Sequence, residues 1–250
     1  MSDNNPFVLK TKNALIDNFD VKRLSSGFDL SDNDIGGDCI LFIGLNPAGS
    51  VEDAERESSN LIHFYLYSVE SKIRKSSKWF YNEYFGQLYN FANKITNNDC
   101  KWPWCNLDIK TITDEIDNNQ ELDVFKQDIL EQYNSSKNRR YTLYVGDMFY
   151  YHETNSHAIP FKNWDDNEYY DYCVSMLIEH INILKRHKKN IKFIYINSAK
   201  VSHWLCNGKT CTSSEYEGIM TFYGGMLSGQ RAMDLFSKER LINEIKSHLE

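Results

Sequence analysis

The sequence predicts a single α/β domain in three layers, with a four-stranded parallel sheet between two layers of helices. Four short apolar segments have the character of strands buried on both faces, which is typical of parallel sheets. Amphipathic helical segments separate them, and the alternation of strands with helices favours one α/β domain. The predicted strands are residues 39–44, 141–146, 191–196 and 218–223, of which the last has the weakest apolar pattern.

The helices are predicted from apolar residues that recur at steps of three and four positions. Such faces run through residues 79–95, 169–184 and 235–249. His180 belongs to the second face, so we interpret it as a core histidine. Ser50 begins Ser-Val-Glu-Asp after the first predicted strand, and we interpret it as a helix cap because this order fits a capping box.

The chain divides into an N-terminal extension, residues 1–36, and an α/β domain, residues 37–250. Its 250 residues correspond to about one to two domains, and neither an internal repeat nor a linker rich in Pro, Gly or Ser divides it further. We expect the extension to be mobile or helical. Residues 97–119 are polar and predict a surface insertion, whose Trp102 and Trp104 either pack over the sheet edge or contact a partner.

Composition and charge favour a cytoplasmic protein without a membrane segment. The apolar run 39–43 is among the longest, and it is far shorter than the ~20 residues that a membrane helix needs. Residues 1–6 lack the basic start and apolar stretch of a secretion signal. The formal net charge of -7 opposes long-range attraction to DNA, so any contact with phosphates has to come from local basic residues.

Cysteine spacing leaves two interpretations open. Cys100 and Cys105 share the spacing of Cys206 and Cys211, and four thiolates could hold zinc or an iron–sulfur cluster. The alternative, which we favour, is reduced cytosolic thiols, because the gap of four residues is wider than in a short zinc knuckle. Two further cysteines lie in apolar surroundings and are interpreted as core residues: Cys39 and Cys173.

Several common functional motifs are absent from the sequence. His152 and His157 are five positions apart, so one helical face cannot present both to zinc. The chain also lacks a Gly-rich phosphate loop followed by Lys and Ser or Thr, and it lacks a Gly-X-Ser-X-Gly nucleophile elbow. We therefore expect no metal and no cofactor.

The most informative segment follows the first predicted strand and reads Gly44-Leu45-Asn46-Pro47. Gly44 permits a close approach of the backbone, and Pro47 fixes φ in the turn. Asn46 is therefore held at the carboxyl end of the sheet, which is the edge where open α/β sheets bind ligands.

This segment resembles the first motif of the uracil-DNA glycosylase superfamily, in its asparagine-containing branch, although Ala48 stands before Gly49. After the fourth strand the superfamily carries a second motif, and residues 223–228 occupy that place with Leu227 and Ser228 as matches. The resemblance covers residues 39–248 in order, and it implies the three-layer fold of that superfamily.

The resemblance also implies roles for individual residues. Asn46 would orient the attacking water while a flipped base leaves the sugar, and Leu227 would fill the gap in the duplex as an apolar wedge. Tyr223 replaces a histidine that helps the departing base in many relatives, so this help is in doubt. Asp147 is the nearest counterpart of an asparagine that reads uracil, and an ionised carboxylate, which only accepts hydrogen bonds, would favour the amine of cytosine.

Further site residues follow from the same resemblance. The glycine pair 224–225 would leave room for a substituent on the base, and the residues after the third strand would contact phosphates. The implied base pocket comprises Gly44, Leu45, Pro47, Phe149, Gly224 and Gly225, with Tyr150 or Tyr151 as alternatives to Phe149 for stacking, and the implied DNA-binding residues are Ser198, Lys200, Leu227, Ser228 and Arg231.

These features predict a monomeric, monofunctional DNA glycosylase that releases uracil or, in preference, a cytosine-type or bulky modified pyrimidine from DNA and leaves an abasic site. Base excision repair and defence against phage are both compatible with this reaction. A catalytically inactive nucleic-acid-binding module with the same fold is the main alternative, and an unrelated α/β nucleotide-binding enzyme is a third. Three basic runs, residues 72–78, 137–140 and 185–192, are either part of a DNA footprint or solvated helix ends.

Overall fold

A computed structural model describes residues 5–30, 32–47, 50–52, 54–55, 85–101, 114, 130–131, 133–155, 157–227 and 232–250. Within this part of the chain, five helices and five strands position the site. In chain order they are α1 (Pro6–Ala14), β1 (Asp38–Gly44), α2 (Phe85–Ile95), β2 (Thr142–Asp147), α3 (Asp166–Arg186), β3 (Asn190–Ile196), α4 (Ala199–Leu205), β4 (Ser213–Tyr216), β5 (Ile219–Tyr223) and α5 (Leu235–Leu249), with a 3-10 turn at Val21–Arg23.

The protein is an α/β domain with one mostly parallel sheet, as the sequence predicts. The strand order is β2-β1-β3-β5-β4, in which the first four strands are parallel and β4 runs antiparallel to β5. The predicted count of four strands is wrong, because β4 is a fifth. Glu217 and Gly218 join β4 to β5 with φ of 52° and 78°, which is the left-handed backbone of a tight hairpin turn.

Helices cover both faces of the sheet, and the central strand β1 is consequently apolar on both sides. Its residues Cys39, Leu41 and Ile43 pack with α3 and α4, whereas Ile40 and Phe42 pack with α2 and α5. All five are fully buried. A strand enclosed on both faces has no solvent side, which explains why its sequence is a continuous apolar run.

The N-terminal segment is part of this core. Helix α1 begins after Asn5, whose side chain accepts a hydrogen bond from the backbone N–H of Phe7 (2.9 Å). Phe7 is fully buried, and its ring lies 4.4 Å from the ring centre of His180. The helical part of the extension therefore packs on the face of the sheet that α3 covers, while the domain boundary at residue 36 stays a prediction.

Several predictions about individual side chains can be compared with the structure. Cys39, Cys173 and His180 are fully buried, which agrees with their interpretation as core residues. The expectation of reduced thiols is wrong for Cys206 and Cys211, because the turn between α4 and β4 brings them together as a disulfide. None of the helices in the described ranges is long and apolar enough to cross a membrane.

Candidate active site at the carboxyl edge of the sheet

The four parallel strands end at one edge of the sheet, and the residues singled out by sequence follow these ends. Gly44 of β1 lies beside Asp147 of β2, and Ile43 lies beside Ile196 of β3. Because β2 lies on one side of β1 while β3 and β5 lie on the other, the connection that leaves β1 towards β2 and the connection that leaves β3 towards β5 diverge here. Such a divergence opens a crevice, and in open α/β sheets this is where ligands bind.

Asn46 is fixed at this edge by its side-chain amide. Its Nδ2 donates to the backbone oxygens of Glu153 (2.7 Å), Pro47 (3.0 Å) and Tyr151 (3.3 Å). Three carbonyl acceptors on one side define the amide orientation, because only the nitrogen of the group can donate. The Oδ1 atom is thereby turned away from these carbonyls, and among the described residues it accepts no hydrogen bond.

The loop after β2 is joined to the loop after β1 by backbone hydrogen bonds. Met148 donates to Gly44 (3.0 Å), Phe149 to Leu45 (2.8 Å) and Glu153 to Pro47 (3.1 Å). These bonds make the edge beside Asn46 a rigid double loop, so its position depends on both segments.

Asp147 lies at the end of β2 and is held by a chain of hydrogen bonds that leads into the core. Its backbone N–H donates to the hydroxyl of Tyr150 (3.2 Å), which lies 2.9 Å from Nε2 of His180. Nδ1 of His180 lies 2.8 Å from the carbonyl oxygen of Met176 and must donate to it, so Nε2 of the neutral ring accepts from Tyr150. Burial lowers the pKa of His180 to about 4, which keeps the ring neutral.

The implied stacking residues do not face the crevice. Phe149 is fully buried, and Tyr150 and Tyr151 are each 4% exposed. The ring of Phe149 stacks on Tyr172, with 4.6 Å between the ring centres. A base cannot stack on Phe149 in this conformation, so the part assigned to it in the base pocket is not supported by its position.

Tyr223, the residue at the place of the superfamily's histidine, is also largely buried. Its hydroxyl lies 3.0 Å from that of Tyr216 on the neighbouring strand β4, and burial raises the pKa of Tyr223. The phenol is therefore neutral, and its hydroxyl already has a partner.

The glycine pair after β5 does not provide the space predicted from the sequence. A Cβ at Gly224 would lie 2.4 Å from the hydroxyl of Tyr195, so this ring occupies the space that the missing side chain leaves. The same hydroxyl donates to the carbonyl oxygen of Gly225 (2.6 Å). The absence of a side chain at Gly224 accommodates Tyr195 of β3. This corrects the prediction that Gly224 leaves room for a substituent on the base.

Leu227 is 2% exposed and packs among the residues that α2 and α5 bury against the sheet. Its backbone N–H donates to Oδ1 of Asn197 (2.9 Å), and its carbonyl oxygen accepts from Nζ of Lys238 (2.8 Å). A wedge has to reach out of the protein, so this burial is contrary to the role assigned to Leu227. The preceding residue, Met226, is 40% exposed.

The residues after β3 differ in what they offer to a ligand. Ser198 is the N-cap of α4, and its hydroxyl accepts from the N–H of Val201 (3.3 Å), so it serves the helix. Lys200 is half-buried, with Nζ 4.9 Å from the ring centre of Phe161 and 5.2 Å from that of Trp204. Ser228 and Arg231 lie outside the described residues, as do the tryptophans 102 and 104.

The described basic runs lie near the opposite edge of the sheet. Lys189, directly before β3, forms a buried ion pair with Asp34, while Arg140, two residues before β2, pairs with Asp38. These cations stabilise the amino ends of the strands and do not line the crevice. The run at residues 72–78 lies outside the described residues.

Sequence reasoning missed two contributors to the edge. Asn197 is 4% exposed and anchors the loop after β5, and its position directly after a buried strand is the same signal that identified Asn46. Phe161 and Trp204 form the aromatic surroundings of Lys200, and they come from two distant segments that no local pattern connects.

Comparison with known proteins gives no match to a family model, a curated protein or a solved structure. Across the described residues, no group of three or more His, Cys, Asp or Glu side chains is arranged to hold a metal ion.

Proposed function

We propose that the chain is a monofunctional DNA glycosylase, an N-glycosyl hydrolase that releases a flipped pyrimidine from deoxyribose and leaves an abasic site. The base is uracil or, in preference, a cytosine-type pyrimidine, and the biological setting is base excision or antiviral defence. The resemblance to the uracil-DNA glycosylase superfamily in residues 44–47 motivates this proposal.

The orientation of Asn46 is the observation that carries it. Breaking a glycosidic bond develops positive charge on the sugar, and a water molecule must then be presented to the anomeric carbon. An amide oxygen can accept a hydrogen bond from that water and orient it, although it is too weak a base to remove the proton. Nδ2 of Asn46 is engaged by three carbonyl oxygens, so Oδ1 is the atom of the amide that would accept from such a water at the carboxyl edge.

The preference for a cytosine-type base rests on Asp147. It lies beside Gly44 at the end of the neighbouring strand, two residues from Asn46 in the register of the sheet. Its backbone is held by Tyr150 and, through Tyr150, by His180. A carboxylate at this strand end would accept from an exocyclic amine, which cytosine has and uracil lacks.

For the duplex contact, Met226 takes the place that the resemblance gives to Leu227. Of these two neighbours, Met226 is the exposed one, at 40% against 2%. Its flexible thioether side chain is apolar and suited to insertion between bases.

A catalytically inactive nucleic-acid-binding module is the second candidate, and Tyr223 favours it. Its hydroxyl is engaged by Tyr216, so the group that would replace the superfamily's histidine is occupied. Measurement of base release separates the two candidates, because a binding module would retain oligonucleotides without producing abasic sites.

The experiment incubates the protein with oligonucleotides that carry uracil, cytosine or a modified cytosine, and it detects abasic sites by alkaline cleavage. We expect wild-type protein to release a base under single-turnover conditions and Asn46→Ala to be at least a hundredfold slower. Asn46→Ala also removes the hydrogen bonds to the loop after β2, so it has to be compared with a variant that loosens the same loop.

Arg23→Ala is that matched control. The guanidinium of Arg23 holds the same loop through the carbonyl oxygen of His152 (3.1 Å) and Oε2 of Glu153 (3.2 Å), and it does not contact Asn46. Both variants are assayed at a temperature where circular dichroism shows them to be folded. Equal losses of the base-release rate in the two variants would show that loop stability, and not the Asn46 amide, causes the effect. A wild type that releases no base would refute the glycosylase function.

A further inference from the structure

Lys200 is a second chemically distinctive group at the carboxyl edge. It is the second residue of α4, four positions after the end of β3. Its neighbour across the edge is Phe161, which packs against the same two groups of core residues as Leu45, the residue next to Asn46. Lys200 and Asn46 are therefore on the same edge of the domain.

Rigid aromatic residues surround the amine of Lys200. Trp204 stacks on Tyr169 with 4.3 Å between ring centres and 6° between ring planes, and Phe161 lies 5.9 Å from Trp204 at nearly a right angle. Nζ of Lys200 lies about 5 Å from the centres of both Phe161 and Trp204. Packing of this kind limits the movement of the side chain and removes water from it.

The charge environment of Lys200 differs from that of two lysines near the amino end of β3. Lys189 pairs with Asp34 and Lys192 with Asp38. In the described ranges, no carboxylate lies within ion-pair distance of Lys200. Burial lowers the pKa of Lys200, so a larger fraction of its amine is neutral than in a solvated lysine. A neutral amine in an apolar setting is a nucleophile towards carbonyl carbon.

We propose that Lys200 captures the aldehyde of an abasic site as an imine. The inference rests on the proposed function, because abasic DNA is the product of a glycosylase. The base leaves by attack of water, as proposed above, and the amine acts in a separate step on the product. The abasic sugar opens from its hemiacetal to an aldehyde at the carbon that carried the base.

The atoms of this step balance without a further reactant. The lone pair of Nζ attacks the aldehyde carbon, and the resulting carbinolamine loses one water molecule to form the C=N bond. No electrons are transferred, and hydrolysis with one water molecule restores amine and aldehyde. The capture would keep a reactive product on the protein until it is released.

The test uses the full chain and a synthetic oligonucleotide that already contains an abasic site, so it does not depend on base release. Cyanoborohydride reduces an imine to a stable amine, and the covalent adduct is counted on a denaturing gel. We expect the wild type to form an adduct that maps to the peptide of Lys200 by mass spectrometry. Lys200→Arg keeps a positive charge but cannot form an imine, so its adduct yield should fall at least tenfold.

Lys162→Arg is the matched control, because Lys162 directly follows Phe161 in the sequence and should leave the adduct yield within about twofold of the wild type. Yields are normalised to the fraction of oligonucleotide bound. An unchanged yield in Lys200→Arg, an adduct on another lysine, or no adduct in the wild type would overturn the inference. Base release without an adduct would support the glycosylase function and refute imine formation. An adduct without base release would support imine formation and refute the glycosylase function.

Discussion

Acidification should destabilise the protein through His180, because the buried ring is neutral in the folded state. Its pKa is lowered from 6.5 to about 4, and the cause is burial. A base with a lowered pKa in the folded state contributes stability that is fully present above pH 6.5. This stability is lost as the pH falls towards 4, since the unfolded chain binds the proton first.

The magnitude follows from the two pKa values. One pKa unit corresponds to about 1.4 kcal/mol, so the full shift is worth about 3 kcal/mol below pH 4. Between pH 7 and pH 5 the free energy of unfolding should fall by about 2 kcal/mol through this group alone. That window lies above the ordinary pKa range of carboxylates, so few other groups contribute.

Urea unfolding of the wild type, His180→Gln and His203→Gln at pH 7 and pH 5 measures the effect. Glutamine at position 180 does not titrate, so its variant should start less stable at pH 7 and lose about 2 kcal/mol less than the wild type on acidification. His203→Gln is the control for the loss of an imidazole from an exposed position. Equal losses in the wild type and His180→Gln would refute the reasoning.

Two further predictions concern the edge of the sheet. Gly224→Ala should lower the free energy of unfolding by about 1–3 kcal/mol because its Cβ would meet the hydroxyl of Tyr195 at 2.4 Å, whereas Gly225→Ala, with Met233 at 3.7 Å, should change it by less than about 0.5 kcal/mol. Thermal unfolding compares the two, and equal effects would contradict the steric argument. Asp147→Asn should shift base preference from cytosine-type bases towards uracil by roughly ten- to a hundredfold, because the amide adds a donor worth about 1–3 kcal/mol. Competition between two oligonucleotides measures this shift, and a wild type that prefers uracil and is unaffected by the substitution would make Asp147 a turn residue.

The sequence predicted the parallel strands because burial on both faces leaves a signal within each segment. β1, β2, β3 and β5 are found within two residues of their predicted bounds. β4 was missed because its residues Ser213–Tyr216 are polar and only half-buried, and its turn contains Glu217 rather than the usual Asn or Asp.

The candidate site was predictable where a side chain is positioned by its own strand and turn. Asp147 ends β2 and Asn46 lies two residues after the end of β1, so the sequence places both at one edge. Gly224 and Leu227 were misinterpreted because distant residues determine their surroundings. Tyr195 fills the space beside Gly224, and Asn197 holds Leu227 in the core, and both contacts cross about 30 positions of sequence.

Under the proposed function, the distribution of charge limits how this edge would bind nucleic acid. Lys189 and Arg140 form ion pairs near the amino ends of the strands. They therefore add little attraction for phosphates at the carboxyl edge. Lys200 is the sequence-predicted cation that the structure places at the carboxyl edge. The net charge of -7 repels DNA at long range, and few phosphate contacts are available to offset this repulsion. Under the proposed function, recognition would therefore depend on contacts to the extruded base itself, as expected of a protein that acts on single nucleotides rather than one that coats a duplex.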